Sequence, residues 1–195
     1  IDYNVESLML YGIKNYFITV NYLKEQIEKH FEEKKSEFNI SCVREPNYLG
    51  TIGSVKFINN FCNDVVLIMN SDLFTNINYE EFYIHFIENN ADMSVVVIPY
   101  SVSVPYGIFN IEGRDIKGIQ EKPTYNYYAN AGVYLVKKEL LNLIPENIYL
   151  DATNFIELLI KENRKVIRFP HTGYWIDIGK KEEYQKALDI AKHLL

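Results

Sequence analysis

Val65-Val66-Leu67-Ile68-Met69-Asn70-Ser71-Asp72 decides how the chain folds: five consecutive apolar residues run into three polar ones, the last a carboxylate. An unbroken apolar run of this length reads as a strand covered on both faces, as in a sheet flanked by helices. Asp72 then stands at the carboxyl end of that strand, where such sheets bind hard cations and phosphates. The competing reading is an Asp that caps the following turn.

Toward the amino terminus, Val5, Leu8 and Met9 lie at helical spacing and Gly12 supplies a stop. Residues 15–21 alternate as a strand, Leu23, Ile27 and Phe31 repeat the helical pattern, 38–43 reads as a second strand and 52–61 as another helix. On the other side, 79–87 is amphipathic and 93–99 is again a buried strand. This alternation predicts βαβ units and a Rossmann-like α/β fold with a mixed, mainly parallel sheet flanked by helices. After Pro105 the rhythm changes. Residues 107–111, 116–120 and 131–136 are short strands with no helix between them, which predicts a small antiparallel insert over the carboxyl-terminal edge of the sheet. Helical patterns return at 139–144, 154–160 and 181–195, around a strand at 166–169.

With 195 residues, 48% hydrophobic and 24% charged, the chain fits one domain, 1–195, with a real core. A net charge of -6 argues against nucleic-acid binding, which needs a surplus of Lys and Arg on one face. The charge run over 24–37 mixes both signs and reads as a solvated helix face. Cys42 and Cys62 sit in core-like segments, so buried reduced thiols in a cytoplasmic protein are expected. No stretch approaches the roughly 18 apolar residues of a membrane span, and no membrane association is expected. His30, His85, His171 and His193 lack metal-ligand spacing and are expected at the surface or rim. Neither a GxSxG elbow nor a GxGxxG fingerprint is present, which leaves nucleophilic hydrolysis and dinucleotide chemistry unsupported.

A second carboxylate, Asp177, sits in Gly173-Tyr174-Trp175-Ile176-Asp177-Ile178-Gly179, a tight connection that could equally be a plain turn. Magnesium takes one or two carboxylates plus substrate phosphates, so Asp72 and Asp177 together suit a metal-bridged nucleotide. Glu121-Lys122-Pro123 ends a strand; the proline favours an extended Lys122, sending the two charges to opposite sides, one toward hydroxyls and one toward a phosphate. An exposed ion pair is the plainer account. Leu49-Gly50-Thr51-Ile52-Gly53-Ser54 leads into a predicted helix whose N-terminus would favour an anion, although a plain loop fits as well. Tyr106-Gly107 and Asn130-Ala131-Gly132 each set a polar side chain beside backbone open to close approach, or are simple turns.

In this order, these motifs resemble the sugar-1-phosphate nucleotidyltransferases, which include mannose-1-phosphate guanylyltransferases and glucose-1-phosphate thymidylyltransferases. The resemblance implies Asp72 and Asp177 as Mg2+ ligands, Lys122 on the sugar's phosphate and Glu121 on its hydroxyls. It also implies Gly50 and Thr51 at the nucleotide, with Tyr106, Gly107, Asn130, Gly132 and Trp175 shaping the sugar pocket. The implied partners are an NTP and a sugar 1-phosphate, with guanylyl transfer favoured. Ser71 stands where the family has Gly, and Ile52 where a smaller residue is usual. The family's amino-terminal strand and glycine-rich loop are not matched, which implies a domain truncated ahead of Ile1 and nearly inactive alone. Open edges near Phe17 and Leu67 are then expected, closed by the gap narrowing or by homo-oligomerisation. The alternatives are a non-catalytic nucleotide-sugar-binding regulatory relative and a glycosyltransferase.

Overall fold

The computed structural model describes residues 1–33 and 39–194. Helix α1 (Asp2–Met9) buries Val5 and Leu8, and the chain turns at Gly12, φ +79°, into β1 (Asn15–Val20). Helix α2 (Lys24–Glu33) and β2 (Asn39–Arg44) follow; Phe38 and residues 34–37 of the charge run lie outside the described residues. Next come β3 (Val65–Met69), a short β4 (Leu73–Thr75), α3 (Tyr79–Glu88) and β5 (Met93–Ser103). The hairpin of β6 (Ile108–Glu112) and β7 (Asp115–Gln120) leads to β8 (Thr124–Lys137). The chain ends with α4 (Ala152–Lys161), β9 (Val166–Pro170), β10 (Trp175–Asp177) and α5 (Lys181–Leu194).

The central sheet has the order β3-β8-β5-β9. Strand β8 is antiparallel to both neighbours and β9 is parallel to β5, so β3, β5 and β9 run one way and β8 against them. Successive residues alternate between two buried layers. Met93, Val95 and Val136 pack with Phe155 and Leu159 of α4, whereas Val96, Val133 and Leu135 pack with Phe82 and Phe86 of α3. Apolar side chains on both faces of these strands are what the continuous valine run required. Strands β1 and β2 form a separate parallel pair. Among the described residues the facing edges of β1 and β3 have no strand partner, and a cleft of about 1100 Å³, lined by Phe17 and Leu67 among others, lies between them.

Several elements differ from expectation. Residues Gly53–Phe57 and Lys138–Leu143 are short 3-10 helices, not the α-helices expected over 52–61 and 139–144. The first is stopped at Ile58, which is extended (ψ 108°), and residues 58–64 then run without helix or strand to β3. Cys62 on that segment lines the cleft and is exposed, and Cys42 is half-buried, so neither is the buried thiol expected. Strands β5 and β8 extend far beyond 93–99 and 131–136 as a two-stranded arm that pairs to Ser103 and Thr124. Pro99 is accommodated there. Val97 accepts from His171 on the β9 side, and β9 pairs no further than Val97, so Pro99 turns its missing donor toward an open edge.

Asp92 ties three strand ends together, accepting from Lys137 Nζ at 2.8 Å and from the Lys165 backbone N–H at 2.9 Å. The Lys137 hydrogen bond, aided by the Lys165 N–H, holds its carboxyl below the ordinary range. A depressed folded-state pKa contributes stability above the unfolded value near 3.9, lost as pH falls through the folded value. Asp92→Asn should therefore flatten the acid limb of stability below about pH 4, measured by urea unfolding across pH. Phe155→Ala, at a fully buried position, should cost about 3–5 kcal/mol in the same assay, whereas Ile160→Ala on the exposed side of α4 should cost about 0.5 kcal/mol or less.

Candidate functional site

The site begins with two short strands that sequence periodicity does not reveal. Strand β10 pairs antiparallel with β4, setting Asp177 opposite Leu73, Ile176 opposite Phe74 and Trp175 opposite Thr75. The Ile178 N–H donates to the Asp72 carbonyl at 2.8 Å, continuing the ladder to the carboxylate-bearing residue. Both carboxylates reach the same point. A Cβ placed on Gly179 would lie 3.0 Å from Asp177 Oδ1 and 3.5 Å from Asp72 Oδ2. Asp177 Oδ1 also accepts the Gly179 N–H at 2.9 Å. Among the described residues no cationic side chain pairs with either carboxylate, and both are exposed. Two adjacent hard oxygen donors without a protein cation fit a divalent ion whose remaining ligands are water and phosphate oxygens. No group of three or more His, Cys, Asp or Glu suited to a metal occurs among the described residues.

Helix α1 braces this corner. Asn4 Nδ2 donates to the Ser71 carbonyl at 3.2 Å and Tyr3 Oη to the Thr75 carbonyl at 2.9 Å, so helix side chains hold the backbone on both sides of Asp72. Burial and the Tyr174 hydrogen bond push the Tyr3 phenol above its ordinary range, keeping it a donor. His171 was expected at the surface or rim but is buried, its Nε2 3.4 Å from Thr75 Oγ1 and 3.2 Å from the Tyr174 carbonyl. The β4–β10 ladder covers it. His30 pairs with Asp2, His85 stacks edge-on against Phe169, and the His193 side chain lies outside the described residues.

The Asn130-Ala131-Gly132 motif is a bulge in β8, where the register jumps from Val97–Asn130 to Val95–Tyr134. Gly132 takes φ +72°, and a Cβ there would stand 2.7 Å from Asn70 Nδ2. The bulge turns the Gly132 carbonyl to the Asn70 N–H and the Ala131 carbonyl to Trp175 Nε1, both at 2.9 Å. Asn130 is used on the spot, its Oδ1 accepting the Gly132 N–H and its Nδ2 donating to Tyr134 Oη. Thus Asn70, Asn130, Gly132 and Trp175 meet at the end of β3, with the indole N–H of Trp175 engaged by backbone.

Glu121 and Gly107 also meet: a Cβ on Gly107 would be 3.1 Å from Glu121 Oε2, and exposed Tyr106 precedes it. Lys122 is not extended. Its φ is +46°, a left-handed conformation costing a non-glycine residue roughly 1–2 kcal/mol. The pre-proline preference is overridden because three residues must carry the chain from the end of β7 to the start of β8, a turn closed by the Val104 N–H on the Pro123 carbonyl. Among the described residues neither Glu121 nor Lys122 forms an ion pair.

Gly50 and Thr51 are committed to the fold in a way their pattern does not reveal. A Cβ on Gly50, φ +78°, would meet the Leu150 carbonyl at 2.6 Å. The N–H groups of Ile52 and Gly53 both donate to that carbonyl at 3.2 Å, and the Thr51 N–H donates to Asp151 Oδ1 at 3.1 Å. Thr51 Oγ1 accepts from Ala152 N–H at 2.8 Å, at the start of α4. The anion-binding helix N-terminus expected here is absent, since the helix is a five-residue 3-10 turn and these N–H groups are already paired. Ile52 is fully buried in the core.

A family model described as "Nucleotidyl transferase" matches residues 1–193. The chain is 30% identical over 195 residues to a mannose-1-phosphate guanyltransferase of Yarrowia lipolytica, covering 93% of this chain and 52% of that protein. A glucose-1-phosphate adenylyltransferase of Bacillus thuringiensis is 28% identical over 162 residues, covering 74% of this chain and 43% of its own length. The chain thus spans about half the length of the curated relatives it matches. The crystal structure of HddC from Yersinia pseudotuberculosis superposes with a TM-score of 0.74 at 21% identity, covering 97% of this chain and 84% of that one. HddC complexed with GMP-PN gives 0.69 at 21% identity, with coverage of 96% and 83%.

Two glycines separate crowding from backbone strain. Gly132→Ala combines a left-handed backbone with contact on Asn70 and should cost about 2–4 kcal/mol. Gly113→Ala, at φ +60° with open space around it, should cost about 1 kcal/mol. Chemical denaturation of both variants measures the difference.

Proposed function

Because the chain belongs to the nucleotidyl transferase family, we propose that it carries the sugar-phosphate and metal side of a site that moves a nucleotidyl group from an NTP to a sugar 1-phosphate. The observation that carries this reading is the convergence of Asp72 and Asp177 on Gly179. In the reaction, an oxygen of the sugar 1-phosphate attacks the α-phosphorus, the bond to the β-phosphate breaks in line, and pyrophosphate leaves. Asp72 and Asp177 would hold Mg2+, which supplies charge neutralisation between the two anions. Lys122 meets the phosphate of the sugar, Glu121 accepts from its hydroxyls, and Tyr106, Gly107, Asn130, Gly132 and Trp175 bound the sugar pocket. Gly50 and Thr51 shape the nucleotide side by holding the loop to Asp151. Catalysis here is positioning and charge compensation, with no protein nucleophile.

Guanylyl transfer is favoured by the name of the Yarrowia relative and by the GMP-PN complex of HddC. The cytoplasm is the compartment that fits nucleotide and sugar-phosphate substrates. No described helix is long and apolar enough to cross a membrane.

Pyrophosphate release is measured with GTP and mannose 1-phosphate, against dTTP or ATP and glucose 1-phosphate, in Mg2+. Asp72→Asn and Asp177→Asn should each lower turnover by about 10²–10³-fold. Absence of turnover and of Mg2+-dependent nucleotide-sugar binding with every pair would sink the reading. Lys122→Gly separates function from fold: it should raise stability by about 1 kcal/mol by relieving the left-handed backbone, while raising KM for the sugar phosphate at least about tenfold.

A further inference from the structure

Among the described residues the β4–β10 ladder, which carries the two carboxylates, forms a sheet of its own apart from the central one. Two side chains cross between the sheets. Trp175 Nε1 reaches the Ala131 carbonyl of β8, and His171 crosses from the end of β9. The His171 backbone N–H donates to the Val97 carbonyl at 2.8 Å, which extends the β9–β5 ladder by one residue. Its ring reaches the other sheet, with Nε2 3.2 Å from the Tyr174 carbonyl immediately ahead of β10. A carbonyl only accepts, so Nε2 carries the proton and donates. Thr75 Oγ1 donates to the same oxygen at 3.0 Å and the Asn76 N–H at 3.4 Å. Three donors thus meet on one carbonyl, two of them from buried side chains, His171 at 7% exposure and Thr75 at 1%.

A ladder of three rungs has little else to fix its register. Sliding β10 by one residue against β4 would move Asp177 about 3.4 Å along the strand and carry every β10 side chain to the opposite face. The two carboxylates converge in the observed register, with Asp177 opposite Leu73 and the Ile178 N–H on the Asp72 carbonyl. Burial discriminates poorly between registers here, because Trp175 and Ile176, neighbours on opposite faces, are both half-buried and Asp177 is exposed. The turn ahead of β10 is also fitted to the ring: a Cβ on Gly173 would lie 2.7 Å from His171 Cε1 and collide with Asn76 Oδ1.

We propose that His171 is a positioning residue that locks the register of β10 against β4 and thereby sets how tightly Asp72 and Asp177 hold a divalent cation. The cation part rests on the role proposed above for the two aspartates, whereas the lock stands on the hydrogen bonds alone. His171 acts at a distance: Tyr174 and Asp177 are three residues, or about 10 Å, apart along the strand. Its backbone anchors in the central sheet, its ring fixes the Tyr174 carbonyl, and the rungs that follow bring Asp177 to Asp72.

The test compares the 195-residue chain with His171→Leu, which keeps bulk but removes the donor, and His171→Gln, whose amide N–H replaces that of Nε2. Without metal, hydrogen–deuterium exchange at the Ile178 and Asn76 amides should quicken at least about tenfold in His171→Leu and return to within about twofold of the parent in His171→Gln. The Asn70 amide, bonded to Gly132 on the central sheet, should change little in either variant. Titration with Mn2+, followed by water-proton relaxation, should show about 10-fold to 100-fold weaker binding in His171→Leu and recovery in His171→Gln. Thr75→Val removes the other side-chain donor to the same carbonyl and should act in the same direction, so it carries the test if His171→Leu does not fold. Unchanged exchange at Ile178, equal quickening at Asn70, or failure of His171→Gln to restore what His171→Leu loses would overturn the lock. Mn2+ binding that Asp72→Asn leaves unaltered would instead overturn the cation part, with the exchange pattern deciding the lock by itself.

Discussion

Three rungs of antiparallel ladder between β4 and β10 hold the candidate site together. Without them Asp72 and Asp177 belong to distant parts of the chain, and two exposed carboxylates have no reason to approach one another. The pairing is too short to persist by itself, since isolated two-stranded ribbons are marginal in water. Side chains from three directions reinforce it: Tyr3 and Asn4 from α1, His171 beneath, and Trp175 reaching the Ala131 carbonyl. The proximity of like charges is maintained by groups that do not themselves touch a carboxylate.

The same corner concentrates unusual backbone. Gly132 adopts φ +72° in the β8 bulge, where its carbonyl takes the Asn70 N–H and the Ala131 carbonyl takes the Trp175 indole N–H. Lys122 accepts a left-handed conformation that any glycine would occupy more easily. A charged side chain kept where backbone alone would favour glycine is a reason to assign it a role at the site. By contrast, the strain at Gly50 has a packing explanation, because Leu150 and Asp151 press against it.

Backbone hydrogen bonding also limits what the 50–54 segment can bind. The 50–54 segment looks like a phosphate cradle when its glycines are read alone, yet its N–H groups at 51, 52 and 53 are paired within the fold. Those paired N–H groups are therefore not free to receive an anion.

Local pattern in the sequence was enough to place β3, α3, the buried part of β5 and α4, because burial on both faces or on one stripe writes a periodicity that neighbours in sequence share. The ordered motifs likewise named the candidate residues, and their types alone suggested carboxylates for a metal and a Glu-Lys pair for a sugar phosphate. The sequence could not reveal β4 and β10, which are too short to carry a period, or the far half of the β5–β8 arm, whose exposed residues alternate without a buried face. Nor could it show that His171 is buried, that Lys122 is left-handed or that the 52–61 helix shrinks to a single 3-10 turn. Each of these depends on a partner far away in the chain: β10 over His171, the β7–β8 connection at Lys122, and Leu150 against Gly53. Local preferences of about 1–2 kcal/mol set the expectation at such positions, and long-range pairing of comparable or greater strength reset it.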